Sequence, residues 1–392
     1  MRILTMNSGS SSVKIGLYEM GETERLVLSG SMSRIGLRGS KFQIDDGSGN
    51  PLIDEHIDLP DHEAALKRLF TWLEEHEPGQ NMDAVGHRIV HGGPKYNQPH
   101  RITATLMTEL GELVPLAPDH LPHEIKAIQA VGRSYPDLIQ VACFDTAFHR
   151  HMPEVAQLVA LPRHYRHEGV VRYGFHGLSY EYILQELRKE AGEAAAGGRV
   201  IVAHLGNGAS MAAIQHGKSI DTTMGFTPAG GLVMSTRSGD LDPGVVVYLL
   251  EEKGMQPAGL NDLVNHQAGL LGVSGISSDM KDLLSKEDSE PHAREAVDLF
   301  CYQARKHLGA LAAALGGLDT LIFTGGIGEN APAVRQRICQ NLSFLGIHLD
   351  GARNASNAAI ISRQQDSVTV RVMRTDEDLM IARHSYALLR EA

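Results

Sequence analysis

One pattern occurs twice in this chain of 392 residues and restricts its fold more than any other feature: an apolar strand, a loop of very small residues, and a second apolar strand. Near the N-terminus it reads ILTM-NSGSSS-VKIGLY, with runs at 3–6 and 13–18 flanking the loop. In the second half it reads VIVAHL-GNGAS-MAAI, with runs at 200–205 and 210–214 around GNG. A third run follows each copy, at 26–28 and, after a His216-Gly217 turn, near 218–221. Each copy therefore predicts an antiparallel meander. A duplicated unit in a chain of this length points to two domains, each large enough for its own core.

The connections are equally legible. Asp61 is placed to cap a helix whose apolar positions Ala65, Leu66, Leu69, Phe70 and Leu73 follow helical spacing, ending near Pro78-Gly79. The run 139–144 reads as a buried strand with Asp145 at its end. A long helix is expected over about 291–315, closed by Gly316-Gly317. A strand at 318–323, a loop TGGIGEN and a helix opened by Asn330 as N-cap with Pro332 in its first turn come next. The chain closes with a strand at 368–374 and a helix from about Thr375, while EAGEAAAGG at 190–198 reads as a surface loop.

Three glycine-bearing loops, 8–12, 206–210 and 325–330, each follow a strand. Glycine lets a backbone approach a ligand closely, and successive amides in such turns form anion-binding concavities. One such loop would be an ordinary turn; three, two of them in a repeated setting, favour a nucleotide held between related domains. Lysine and arginine total 36 against 47 acidic residues, a net charge of −11, which disfavours nucleic acid and anionic membranes as partners. The three cysteines, Cys143, Cys301 and Cys339, form no CxxC, and no HExxH or GxSxG occurs, so disulfides, zinc and a serine hydrolase are not expected. No signal-peptide core or eighteen-residue apolar run is present, and a cytoplasmic location is expected.

Several polar residues could carry chemistry. Lys14, just beyond the first loop, could reach a phosphate, though a solvated strand lysine reads the same way. Arg88 in GHRIVHGG and Arg237 in STRSGD lie in polar, glycine-flanked contexts where a planar guanidinium suits carboxylate or phosphate oxygens. Of 20 histidines, His91, His120, His149, His176 and His204 stand out by falling at turns near these loops or strand ends. Asn7, Asp145 and Glu377 could offer oxygens to Mg²⁺.

Taken together, NSGSSSVK (7–14), GHRIVHGG (86–93), FDTAFH (144–149), RYGFHG (172–177), AHLGNGAS (203–210), DTTMGFTPAGGLVMSTRSGDLDP (221–243), TGGIGEN (324–330) and TDEDLMIA (375–382) resemble the acetate kinase family, in order and over nearly the whole chain. The resemblance implies an α/β protein of two actin-like domains with RNase H-like βββαβαβα cores, a nucleotide cleft and a homodimer. The domains would be 1–150, with a C-terminal helix at about 376–392 packing back on it, and 151–375 for the nucleotide. It implies reversible transfer of the ATP γ-phosphoryl group to acetate with Mg²⁺, Mn²⁺ being a possible substitute. Carried over by motif, Asn7 and Glu377 would hold the metal. Lys14, Ser10 and Ser12, the stretch His204, Leu205, Gly206, Asn207 and Gly208, then Asp279, Met280 and Lys281, and Gly326, Ile327, Gly328, Glu329 and Asn330 would contact ATP. Arg88, Val90, His120, Phe175 and Pro228 would surround the acid, and Asp145, His176 and Arg237 would be catalytic.

A carboxylate acceptor is already ionised near pH 7 and needs no general base, so Asp145 is expected to orient the metal or arginines. The chain departs from the family pattern at Asp119, where an apolar residue is usual beside the acid, at Leu178 and Tyr180, and at Ala229-Gly230. Either Asp119 turns toward a neighbouring His or Arg, or the acyl pocket is altered in favour of propionate or another short acid. A sugar kinase and an actin- or chaperone-like ATPase on the same fold are the other readings.

Overall fold

The computed structural model describes every residue except 10, 77–81, 365 and 392. The chain divides into two compact units, Met1–Ala147 with Asp376–Ala392, and Phe148–Thr375.

In the first unit, β1 (Arg2–Ser8), β2 (Ser12–Met20) and β3 (Glu24–Ser33) form the expected antiparallel meander. A hairpin, β4 (Lys41–Asp46) and β5 (Pro51–His56), extends it in a way the apolar runs do not announce, because its outer strand is mostly exposed. On the other side β6 (Ala84–Ile89) joins β1 in parallel, a short β7 (His100–Arg101) forms the edge, and β8 (Ile139–Phe144) lies parallel to β6 between them. Three helices follow in chain order, α1 (His62–His76), α2 (Ala104–Leu113) and α3 (Leu121–Ser134). Asp61 Oδ1 accepts the Ala64 amide at 2.8 Å, which starts α1 where the sequence places it; the expected end at Pro78-Gly79 lies outside the described residues. Leu66, Leu69 and Trp72 of α1 and Ala127 and Val131 of α3 close over Leu4, Met6, Ile15 and Val85 of the sheet. Each such side chain contributes on the order of 1.5–3 kcal/mol when removed from water.

The C-terminal helix, Glu377–Arg390, packs against this sheet too, its Ala382 against Ile3, Tyr18 and Met20. It approaches so closely that a Cβ at Gly86 would stand 2.5 Å from both Ile381 Cγ2 and Ser385 Oγ, so only glycine fits that point of β6. Asp376 caps it by accepting the Leu379 amide at 2.8 Å.

The second unit repeats the plan. β9 (Val200–Leu205), β10 (Ala209–Gln215) and β11 (Lys218–Thr222) form a meander, and β12 (Thr320–Thr324) and β13 (Thr369–Val372) add in parallel beside β9. The order β11-β10-β9-β12-β13 matches β3-β2-β1-β6-β8 of the first sheet. Both are therefore RNase H-like cores, and the protein is α/β as expected. Here β10 and β12 are buried on both faces. Among its helices are α4 (Gly177–Ala191), α5 (Pro243–Glu251), α6 (Met280–Lys286), α7 (Pro291–Ala314), α8 (Gly325–Asn330) and α9 (Pro332–Cys339). After α7, Gly316 N–H bonds to Ala313 O and Gly317 N–H to Ala312 O, the glycine stop read from the sequence.

Three expectations fail locally. TGGIGEN is no loop: it turns at once into α8, because Glu329 Oε1 accepts the Gly325 amide at 2.9 Å and ties the turn to the strand end. Asn330 therefore ends α8 instead of opening α9, whose N-cap is Ala331, with Pro332 first in the helix. EAGEAAAGG includes a short helix, Glu193–Gly197, because Ala196 is drawn into the core beside Leu187 and Val200.

Candidate functional site

In the first unit the parallel strands bring their C-terminal ends together, as open α/β sheets do where they bind ligands. Register places Arg88 beside Cys143, and Asp145 follows directly after β8. Arg88 donates from Nε to Asp145 Oδ2 at 3.0 Å, from Nη2 to the same oxygen at 2.5 Å, and from Nη1 to Asn7 Oδ1 at 3.2 Å. Glu377 Oε2 stands 3.8 Å from Arg88 Nε. Burial alone would lower the Arg88 pKa, but Asp145 and Glu377 outweigh it and hold the guanidinium charged. These contacts use three of the five guanidinium N–H donors and leave one on each terminal nitrogen.

Beneath this cluster lies a residue that the sequence reading missed. Glu124 on α3 is 3% exposed, and its two oxygens lie 3.3 and 3.2 Å from the Val90 amide. Burial, reinforced by Asp145 and opposed by Arg88 and the Val90 N–H, pushes its pKa up to about 8. Helical spacing hides it, since a Glu on an amphipathic helix ordinarily reads as solvent-facing.

Lys14 is exposed on β2, opposite Asn7 in the ladder. Ser12 closes the first glycine turn by accepting the Gly9 amide through its carbonyl at 2.8 Å, whereas Ser10 lies outside the described residues. His120 is the N-cap residue of α3, and Val90 is 3% exposed just past β6. Asp119 acts electrostatically on His123, raising its pKa against the larger downward pull of burial.

Asn7, Glu377 and Asp378 make an all-oxygen donor set. Asp378 Oδ1 is enclosed with no hydrogen-bond partner, and burial together with Asp376 and Glu377 lifts its pKa to about 6. Oxygen donors of this kind fit Mg²⁺ or Mn²⁺ and would suit neither zinc nor copper. Among the described residues no three or more His, Cys, Asp or Glu are arranged to enclose a metal.

In the second unit the corresponding strand ends carry imidazoles and hydroxyls. His204, the penultimate residue of β9, stacks on His176, with ring centroids 4.4 Å apart. Ser179 Oγ lies 2.8 Å from His204 Nδ1 and 2.8 Å from Thr375 Oγ1. His176, in the left-handed conformation at φ 58°, places Nδ1 2.8 Å from Ser210 Oγ, which also bonds the Tyr180 hydroxyl. The departure at Tyr180 thus has a task, to hold Ser210 against His176.

Gly208 is where these groups converge. A Cβ there would lie 3.2 Å from His176 Nε2 and 3.5 Å from Arg237 Nη1, so the missing side chain leaves a space bordered by both. Arg237 Nη1 donates to the Pro228 carbonyl at 3.3 Å. Asn207 is exposed, and its carbonyl accepts the Ser235 amide at 3.1 Å. Gly206 N–H bonds to Gly208 O at 3.0 Å, closing the second glycine turn. Gly326 N lies within 4.0 Å of a Cβ built at Gly206, which puts the second and third glycine segments side by side.

The remaining expected contacts divide. Leu205 is fully buried and offers only backbone. Met280 is 4% exposed, and Asp279 caps α6 by accepting the Lys281 and Asp282 amides at 2.8 and 3.0 Å. Gly328 is buried, Ile327 is half-buried, and Asn330 Nδ2 donates to Gly326 O at 3.0 Å. Arg335 is a second missed residue. It is fully buried on α9 and donates to the carbonyls of Gly328 (2.8 Å) and Glu329 (3.0 Å), and to Asn354 and Asn357. Phe175 is 1% exposed, and its carbonyl accepts from His149 Nε2 at 3.0 Å.

Comparison with known proteins places these features in context. The acetokinase family profile matches residues 2–383. The acetate kinase of Rhodopseudomonas palustris strain TIE-1 is 48% identical over 392 residues, covering 98% of each chain. The crystal structure of Porphyromonas gingivalis acetate kinase superposes with a TM-score of 0.89 at 39% identity over 99% of both chains. A propionate kinase from Francisella tularensis superposes with a TM-score of 0.92 at 34% identity over 98% of both.

Proposed function

The chain belongs to the acetokinase family, and from that premise we propose that it is an ATP:acetate phosphotransferase, forming acetyl phosphate and ADP reversibly. The observation that carries this reading is Arg88: a guanidinium fixed by Asp145 and Asn7 that keeps one N–H on each terminal nitrogen for the two oxygens of a carboxylate. A sugar hydroxyl would need a base to remove its proton; a carboxylate needs none.

In the proposed reaction an acid oxygen attacks the γ-phosphorus while the bond to the β,γ-bridging oxygen breaks, its electron pair leaving with ADP. No proton moves. Arg88 holds the acid, and Asp145, accepting two of its donors, fixes the fork in orientation. Val90 and His120 meet the acyl chain on the first unit, and Phe175 and Pro228 of the second keep the role the family motif implies. Arg237 and His176 stabilise charge on the equatorial phosphoryl oxygens, the part of such a reaction that most needs preset donors. Ser210 Oγ bonds both the Tyr180 hydroxyl and His176 Nδ1; with Ser210 donating to Nδ1, Nε2–H would be the donor over Gly208. The turns at 206–208 and 326–330 hold the nucleotide on the second unit, and Lys14 and Ser12 of the first keep the ATP-binding role the family motif implies. Asn7 and Glu377 would hold Mg²⁺ or Mn²⁺, which neutralises phosphoryl charge when bound.

Hydroxylamine trapping tests the reading. Acetate-dependent hydroxamate with matching ADP release is expected; ATP turnover indifferent to the acid would sink it in favour of a nucleotide-driven switch. Propionate is the second reading, supported by the small residues Ala229-Gly230 beside Pro228. A panel of C2–C5 acids ranks them by kcat/KM.

The protein also works as a homodimer in this proposal. Helix α5 buries none of its residues although Val245, Val247 and Tyr248 are 44%, 49% and 49% exposed, an apolar face suited to a second copy. Light scattering that gives a monomer at micromolar concentration would refute it.

A further inference from the structure

Glu124 is a buried carboxyl beside Arg88 to which the reaction above gives no task. It sits where β6 has ended at Ile89 and the next amide, Val90, has left the sheet ladder. Glu124 supplies the partner that this amide lacks in the ladder, from both oxygens at 3.3 and 3.2 Å. Its two oxygens share that one N–H and accept no other hydrogen bond among the described residues, so an ionised carboxylate there would be poorly solvated. The Arg88–Asp145 pair, by contrast, closes to 2.5 Å between ionised groups.

We propose that Glu124 is a positioning residue for the acid substrate: as a neutral carboxylic acid it fixes the Val90 amide and leaves Arg88 free to attract an incoming carboxylate, and its ionisation repels that carboxylate. The inference rests on reading Arg88 as the acid's anchor. Arg88 already faces Asp145 and Glu377, and a further ionised carboxylate beside it would compete with the substrate for the same charge.

The surrounding groups define what can titrate. β6 presents Arg88, the end of β8 presents Asp145, and β1 presents the uncharged Asn7. On α3 itself are His120, His123 and Lys126; α1 carries Glu63, paired with Arg133 at 3.4 Å, and α2 carries Glu109, paired with Lys95. Carboxylates and histidines ordinarily titrate below pH 7 and lysines above 10, and burial moves His123 further down. The thiol of Cys143 on β8 is the other group whose ordinary range, near 8.5, overlaps the window.

The experiment follows the KM for acetate, the KM for ATP and kcat between pH 7 and 9. With Glu124 titrating at about 8, the competent fraction falls so that the acetate KM rises roughly tenfold by pH 9, while the KM for ATP stays level. In Glu124→Gln, which keeps an acceptor for Val90 but cannot ionise, the acetate KM is expected to stay level across the range; Glu124→Asp keeps the rise. A wild-type acetate KM that does not move, or a rise that survives in Glu124→Gln and so belongs to Cys143 or another group, overturns the proposal. Should Glu124→Gln fail to fold, infrared difference spectra of the wild type between pH 7 and 9 decide: loss of a protonated-carboxyl band supports it, and absence of any such band at pH 7 overturns it. Hydroxamate formation by the wild type at pH 7 tests the reaction separately, and its absence would defeat the acid-anchor reading while the infrared band still reports on Glu124.

Discussion

The two sheets share one strand order and place their polar residues at the same strand ends, yet the chemistry there is opposite. In the first unit a half-buried cation, Arg88, is locked to Asp145, with Glu377 close by and Asn7 accepting. In the second, the cation Arg237 leans on a carbonyl, and its neighbours His176, His204 and Ser210 are held by hydroxyls. The shared strand order sets where groups can converge, and the residues placed there set the chemistry. An ionic cluster built into a core ties function to stability.

The largest expected effects follow from that difference. Arg88→Ala leaves Asp145 buried without its principal counter-ion, and removing one partner of such a pair costs about 3–5 kcal/mol. The single tryptophan, Trp72, lies in the core of the first unit, so its fluorescence in urea reports that loss directly. Arg237→Ala should leave the Trp72 transition in place and lower kcat about 10²–10³-fold, the usual result of deleting one transition-state donor. If both variants lost only stability, or both only activity, the contrast between the units would fail.

Arg335 sharpens the comparison from inside the second unit. Its guanidinium is as buried as any side chain in the molecule, but its acceptors are carbonyls and amides, and burial lowers its pKa to about 10. Arg335→Met would strand the Gly328 and Asn354 carbonyls, at about 1.5–3 kcal/mol for a hydrogen bond to a charged group. Because those carbonyls belong partly to α8, the KM for ATP is expected to rise with the fall in stability. A destabilised protein with an unaltered KM for ATP would assign Arg335 to the core alone.

Much of this was legible in the sequence. Both meanders, the strand ending at Asp145 and the glycine stop of α7 follow from local patterns that tertiary structure left alone. What escaped depended on contacts far apart in the chain. Glu124 and Arg335 look like surface charges on amphipathic helices, and only the packing of α3 on β6 and of α9 on the 354–357 turn buries them. TGGIGEN reads as a loop because nothing local announces that Glu329 reaches back to Gly325. Asp279, which the family resemblance implies contacts ATP, also caps α6 with its carboxylate, a task the motif does not announce.

Gly208→Ala is a smaller perturbation at the second unit's site. The added Cβ would stand 3.2 Å from His176 Nε2, close enough to shift that ring by a few tenths of an ångström. Misplacing a positioned donor by such an amount lowers kcat by roughly tenfold. The Trp72 transition should not move, since Gly208 belongs to the other unit.

The smallest effect concerns pH, and its sign differs between buried bases and a buried acid. His149 is buried in the second unit, its Nε2–H bonded to Phe175 O and its Nδ1 2.8 Å from Ser219 Oγ. Burial lowers its pKa to about 4 from 6.5. Between those values the unfolded chain binds a proton that the folded one refuses, so stability falls as pH drops from 6.5 toward 4. His87 in the first unit, also about 4 through burial, adds the same slope there. Glu124 works the other way: folded, it keeps its proton up to about 8, while unfolded it releases it near 4.5, so its contribution weakens as pH rises between them. Far-UV circular dichroism, which sees both units, is expected to show a shallower acid limb in His149→Gln, while Trp72 fluorescence keeps the His87 limb unchanged. Equal shallowing by both probes would mean that the two units do not unfold as separate bodies, and the division of their electrostatics would then have no separate consequence for stability.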